Sequence, residues 1–313
     1  MARIVCIGEG MLELARPAGD WQLGHGGDTL NTAIHLARAG HDVAFLSALG
    51  TDPLSLGAKT AWQAEGLDTA LVLAHPHRHI GIYAVATDPQ GERSFTYWRN
   101  ESAAREMFAL PGSEGVLAAA AEADLLFFSL ISLAIVPPSG RDRLLRLARA
   151  IRARSGRVAF DSNYRAPLWR GDASALSVCE AAIACADIGL PTLDDETALA
   201  HARDASAVAA RWAELGCAET VVKFGAGGCR IPSGEVIRPE RVLRPVDTAA
   251  RATRSTPATS RRGCAARVSP KPPLQVMRSR RGRSYTPARS RHAMPTIPAQ
   301  PSGFSAAAAR SAG

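Results

Sequence analysis

Gly26-Gly27-Asp28-Thr29-Leu30-Asn31-Thr32-Ala33 opens the first long helical pattern of the chain and lies between two apolar runs, Ile4 to Gly8 and Val43 to Leu49. Each run is short, rich in β-branched or aromatic residues and closed by glycine, which is how a strand buried on both faces reads. From Asp28 to Ala39 the apolar residues Leu30, Ile34 and Leu36 recur at helical spacing, and Gly40 supplies the stop. Strand, glycine turn, helix, strand is the unit from which a parallel sheet is built. The two glycines let backbone approach a ligand closely, while Asp28 and Asn31 offer an acceptor and a mixed donor and acceptor suited to sugar hydroxyls. The same residues also suit a plain glycine turn with Asp28 as helix N-cap.

The alternation continues along the chain. Helical patterns are expected over Thr60 to Glu65 and Arg141 to Arg154, and buried strands at Leu125 to Ser129, Val158 to Asp161, Ile188 to Leu190 and Thr220 to Phe224. Gly81 to Thr87 and Ser94 to Arg99 alternate around Asp88-Pro89-Gln90-Gly91, which predicts a β-hairpin. The expected fold class is α/β, a doubly wound, mostly parallel sheet with a small β-sheet lid from residues near 10–22 and 75–100. Ligands in such folds sit beyond the carboxyl ends of the strands.

From Asn31, a small residue falls at Ala33, Gly40 follows after six more residues and Gly50 after another nine. This spacing resembles the N-terminal signature of the ribokinase (PfkB-type) carbohydrate kinase family. The wording Gly-Gly-Asp-Thr-Leu-Asn-Thr is similar to its 2-keto-3-deoxygluconate kinase branch. So are Gly91-Glu92-Arg93 to Tyr97-Trp98-Arg99-Asn100, Phe160-Asp161-Ser162-Asn163-Tyr164-Arg165 and Leu193-Asp194-Asp195-Glu196. The resemblance covers roughly residues 3–248, expected to form one ribokinase-like kinase domain.

The resemblance implies transfer of the ATP γ-phosphate, with Mg²⁺, to 2-keto-3-deoxygluconate, giving the 6-phosphate. A substrate carboxylate calls for a bidentate arginine fork, for which Arg99 and Arg165 are the candidates, with Tyr83 and Tyr97 as hydroxyl donors. Gly27, Asp28 and Asn31 would hold the sugar hydroxyls. Asn163, Lys223 and Gly225 fall on the nucleotide side, the last two matching a Thr-x-Gly motif with lysine at the threonine position. Glu196 stands where the family's Asn-x-x-Glu motif places a glutamate that organises Mg²⁺ through water; Leu193 replaces the asparagine. The family is also found paired through its lid, so a homodimer is an expectation. The alternatives are another sugar kinase of the same type, such as a fructokinase, and a non-catalytic binder whose basic tail holds nucleic acid.

The net charge of +8 is confined to one end. Residues 249–313 hold 13 of the 37 Lys and Arg and none of the 29 Asp and Glu, so the first 248 residues carry an acidic excess like an ordinary soluble enzyme. The tail has eight prolines, no apolar periodicity and only Tyr285 and Phe304 as aromatics, a disordered composition poor in stacking groups for nucleic acid. No apolar run approaches a membrane span and no signal core follows Met1, which points to a cytoplasmic protein. Cys6, Cys179, Cys185, Cys217, Cys229 and Cys264 show no metal spacing and are expected as reduced, mostly buried thiols. His75, His77 and His79 alternate as a metal face would, but without acidic or cysteine partners nearby in sequence; a solvated loop is expected.

The family's second motif, Asp-Thr-x-Gly-Ala-Gly-Asp, would supply an amide nest and a base aspartate at a helix N-terminus. Here Val246-Asp247-Thr248 is followed by Ala249-Ala250-Arg251-Ala252-Thr253, so no catalytic residue is intact. Regrouping the degenerate codons of residues 248–260 from the third base of codon 248 permits Gly-Gly-Ala-Gly-Asp-Ser-Phe-Asn-Ala-Gly-Tyr-Leu. A one-nucleotide deletion near codon 248 would therefore account for both the lost motif and the acid-free, arginine-rich tail, and the chain as written is expected to be impaired.

Overall fold

The computed structural model describes residues 2–16, 20–87, 93–217 and 219–239. Val246 to Thr248, the tail 249–313 and the hairpin turn 88–92 lie outside them. The described elements begin with β1 (Arg3–Ile7), β2 (Met11–Ala15), β3 (Gln22–Gly26), α1 (Asp28–Arg38), β4 (Asp42–Gly50), α2 (Pro53–Ala64) and β5 (Val72–His75). The hairpin strands β6 (Gly81–Thr87) and β7 (Arg93–Trp98) follow, then α3 (Ser113–Ala120), β8 (Leu125–Ser129), α4 (Leu130–Ala134), α5 (Pro138–Ala153) and β9 (Arg157–Asp161). The remainder is α6 (Ala175–Ile183), β10 (Ile188–Gly189), α7 (Leu193–Ala200), α8 (Ala205–Glu214), β11 (Glu219–Thr220), β12 (Val222–Lys223), β13 (Cys229–Arg230) and β14 (Val236–Ile237).

Seven strands form a sheet in the order β11-β10-β9-β8-β1-β4-β5, and every neighbouring pair is parallel. The interior strand β1 shows why it reads as a continuous apolar run. Val5 and Ile7 enter one core with residues of α5, α6 and α8, while Ile4 and Cys6 enter the other with Leu30, Ala33 and Ile34 of α1 and Trp62 of α2. The chain winds outward through β4 and β5 and then returns to the other side of β1 with β8. The order therefore reverses between β1 and β8, where a doubly wound sheet opens its ligand crevice.

The lid is a four-stranded sheet, β3-β2-β6-β7. The hairpin pairing predicted from the alternation is present, with Tyr83 opposite Tyr97. β3 is a strand that the sequence did not announce, since glycine and histidine break its alternation. Thr220 to Phe224 is not one strand: β11 ends the main sheet, and β12 turns into a separate three-stranded sheet with β13 and β14.

Two further expectations are corrected. The helix placed at Thr60 to Glu65 begins earlier, with Pro53 in its first turn and Asp52 as N-cap, accepting from the backbone NH of Leu54 (3.1 Å) and Ser55 (3.0 Å). Burial alone would raise the Asp52 carboxyl, but hydrogen bonds from Ser55 and His79 outweigh it and hold the group at about 2. Asp52→Ala is expected to cost about 1 kcal/mol in chemical denaturation. A carboxyl held low stabilises the fold above the ordinary carboxylate range and ceases to do so as pH falls toward 2, so the difference between variant and parent should shrink on acidification.

His75 is not in a solvated loop. It ends β5, is buried, and its Nδ1 accepts from the backbone NH of His77 (3.1 Å) and Arg78 (2.9 Å), which leaves Nε2 to donate to Glu106 at 2.8 Å. His79 lies 2.9 Å from Asp52. Cys6, Cys179, Cys185 and Cys217 are buried free thiols, and burial raises the pKa of each.

Candidate functional site

Gly27, not Asp28, is the N-cap of α1, and it has a reason to be glycine. Its φ is +153°, and a Cβ there would stand 2.3 Å from the carbonyl oxygen of Glu9. Asp28 is consequently free of capping its own helix. Its Oδ2 accepts from the hydroxyl of Ser129, at the carboxyl end of β8, and from Asn163 Nδ2 at 3.1 Å, just beyond β9. One carboxylate thus ties the start of α1 to the ends of two strands at the point where strand order reverses. Asn31 follows three residues on, which puts it on the same face of α1.

Tyr83 and Tyr97 share one face of the lid, with ring centroids 5.8 Å apart, and Phe95 lies 6.3 Å from Tyr97. Tyr83 donates its hydroxyl to Glu13 on the neighbouring strand. Tyr97 is half exposed; partial burial raises its hydroxyl pKa, while the charges of Arg99 and Arg165 oppose that and those of Asp28 and Glu9 reinforce it.

The two arginines differ. Arg165 is exposed and holds the Tyr164 carbonyl at 2.7 Å and Asp195 at 3.2 Å through a single nitrogen, Nη1, so most of its fork remains available. Arg99 is buried beneath the lid and ion-paired to the carboxylate of Glu9, itself 1% exposed. It is not the free fork that the sequence suggested.

On the far side of the crevice Lys223 Nζ is 2.7 Å from Asp161 and its backbone NH donates to Pro191, while Gly225 opens an exposed turn at φ +62°. The Asn163 amide, expected on the nucleotide side, donates to Asp28. Glu196 departs furthest from expectation. It is fully buried in the first turn of α7 and accepts from Arg211 of α8 at 3.1 Å; burial raises its pKa and the Arg211 charge opposes the rise. A hydrated Mg²⁺ needs a carboxylate that water can reach, so Glu196 as it stands does not fit that ion. Asp161 and Asp195 are partly exposed at the same end of the sheet, each already facing a cation.

Ser129, Glu9 and Glu13 were not singled out from the sequence. Each carries a readable signal: a polar residue closing an apolar strand, an acid between two glycines after a buried strand, and an acid within an alternating strand.

Over 233 residues the chain is 42% identical to the 2-dehydro-3-deoxygluconokinase of Escherichia coli K12, an alignment covering 73% of this chain and 75% of that protein. A PfkB protein from Polaromonas superposes with a TM-score of 0.69 over 77% of this chain and 84% of its own, at 25% identity. The fold is also that of a Xylella fastidiosa fructokinase determined with bound ATP, with a TM-score of 0.68 and 22% identity over 83% of this chain and 82% of its own. Residues 1–250 match the family described as pfkB family carbohydrate kinase, and the chain belongs to that family.

Proposed function

We propose that this chain descends from an ATP-dependent kinase of 2-keto-3-deoxygluconate, the sugar acid named in its E. coli relative, with residues 1–248 as the kinase domain. The arrangement that carries the reading is the Asp28 carboxylate at the strand-order reversal, facing an aromatic lid and an exposed arginine. Asp28 and Asn31 accept and orient sugar hydroxyls, and the Gly26-Gly27 turn lets the sugar approach the backbone. Tyr83 and Tyr97 close over it. Arg165 exchanges its single contact with Asp195 for a two-point contact with the substrate carboxylate. The triphosphate lies toward Lys223 and Gly225. Any Mg²⁺ would have to be held by the nucleotide, where it would offset phosphate charge, since the buried Glu196 would not hold it. The base that takes the proton from the sugar hydroxyl belongs to the motif interrupted after Thr248, so this chain transfers phosphate poorly, and residues 249–313 are read out of frame. The protein works in the cytoplasm, and the exposed lid residues Trp21, Leu23 and Trp98 suit pairing with a second copy.

Arg165 supplies the test. A charge-assisted hydrogen bond contributes about 1.5–3 kcal/mol, which is roughly ten- to hundredfold in affinity. Arg165→Ala should weaken calorimetrically measured binding of 2-keto-3-deoxygluconate by that factor and leave fructose binding unchanged. An equal loss for both sugars would reject the sugar-acid assignment in favour of a neutral-sugar kinase.

A further inference from the structure

The buried ion pair beneath the lid joins parts of the molecule far apart in sequence. Glu9 follows β1, an interior strand of the main sheet, and Arg99 follows β7, the outer strand of the lid. Glu9 also touches both glycine positions that shape the cleft. Its carbonyl oxygen is what forbids a side chain at Gly27, and its Oε1 would lie 2.8 Å from a Cβ placed at Gly81, the first residue of β6. The pairing uses Oε2 of Glu9 and Nη2 of Arg99. Among the described residues, the buried Oε1 of Glu9 and Nε of Arg99 have no hydrogen-bond partner. The Arg99 guanidinium lies 5.7 Å from the centre of the Tyr97 ring.

A carboxylate kept out of water beside an arginine is costly unless its geometry is useful, and swapping such pairs for apolar residues often stabilises a fold. We infer that Glu9 is a positioning residue for the sugar acid: it holds the buried Arg99 charge in one orientation at the lid root, so that this charge, the Tyr97 ring beside it and the Asp28 turn face the substrate in fixed register. The inference rests on the sugar-acid reading above. Glu9 itself touches no substrate; it acts through Arg99. Displacement of a binding group by about 1 Å can reduce productive binding on the order of a hundredfold. Glu9→Asp keeps the charge and withdraws the carboxylate by one methylene, which isolates position from charge.

The experiment is calorimetric titration of the full 313-residue chain with 2-keto-3-deoxygluconate and with 3-deoxyfructose, which carries a hydroxymethyl group in place of the carboxylate. Glu9→Asp is expected to weaken binding of the acid tenfold or more while changing 3-deoxyfructose less than threefold. Should Glu9→Asp fail to fold, the background Arg99→Gln serves instead: adding Glu9→Gln to it should change acid binding less than twofold, because the ion pair through which the Glu9 carboxylate acts is already gone. Unchanged acid binding in folded Glu9→Asp, equal losses for both sugars, or a further tenfold loss on adding Glu9→Gln to Arg99→Gln overturns the proposal. A parent chain that binds the two sugars equally overturns the sugar-acid reading instead.

Discussion

Restoring one nucleotide near codon 248 is expected to raise the rate of ATP-dependent phosphorylation of 2-keto-3-deoxygluconate on the order of 10⁴-fold or more over the 313-residue chain. The estimate follows from two missing functions. A positioned general base is worth roughly 10²–10⁴ in rate, and a single preorganised donor to developing charge roughly 10²–10³. The restored frame would supply both, through Gly-Ala-Gly-Asp at the start of a helix. Among the described residues, α1 and α2 are the helices that contribute to the core on the Ile4 and Cys6 side, while β10 leaves Ile188 only partly buried there, with Leu190 just beyond it. A coupled ADP-release assay on both proteins, with fructose as second substrate, measures the effect. If gene sequencing across codons 245–252 returns an unambiguous in-frame read and the unaltered chain turns over at ordinary kinase rates, the frame hypothesis is wrong.

The main sheet was legible because parallel strands buried on both faces leave an unmistakable trace: Ile4 to Gly8 and Leu125 to Phe128 are unbroken by polar residues, Val43 to Leu49 is broken only by Ser47, and the glycines and alanine-rich helices between them punctuate cleanly. The lid hairpin was legible for the opposite reason, since strict alternation marks a sheet with unlike faces. What failed were β3 and the small three-stranded sheet, whereas β10, equally short, was caught by its apolar Ile188 and Leu190. β12, β13 and β14 have two residues each, too few for any period, and β3 is half glycine and histidine. At the site, residue types were readable but pairing was not. Arg99 and Arg165 look alike in sequence, yet Glu9, ninety positions from Arg99, buries one while the other stays exposed. The same limit applies to Glu196, whose motif suggests a metal but whose partner, Arg211, is set by the packing of α8 on α7.

That partnership leads to the second large effect. Arg211→Ala is expected to destabilise the chain by about 3–5 kcal/mol at neutral pH, on the order of 10 °C in Tm for a domain of this size. The cause is not a lost surface contact, which would be worth little, but a fully buried Glu196 left without its cation. Arg211 also reaches Glu180 on α6 at 3.0 Å, so the guanidinium ties three helices together. The direction with pH distinguishes charge from packing. Burial already raises the Glu196 pKa in the parent, and removing Arg211 raises it further. A carboxyl whose folded-state pKa is raised favours folding when protonated, so its penalty is full above the folded pKa and disappears below the ordinary carboxylate range. The Arg211→Ala deficit should therefore shrink as pH falls from 7.5 toward 4.5 in urea denaturation. Glu196→Gln alone should cost little, because Arg211 keeps Glu180, and in the Arg211→Ala background it should recover most of the lost stability at pH 7.5. A deficit independent of pH and unrelieved by Glu196→Gln would mean that Arg211 serves the fold by packing, and that the Glu196 carboxylate is free to meet solvent and metal after all.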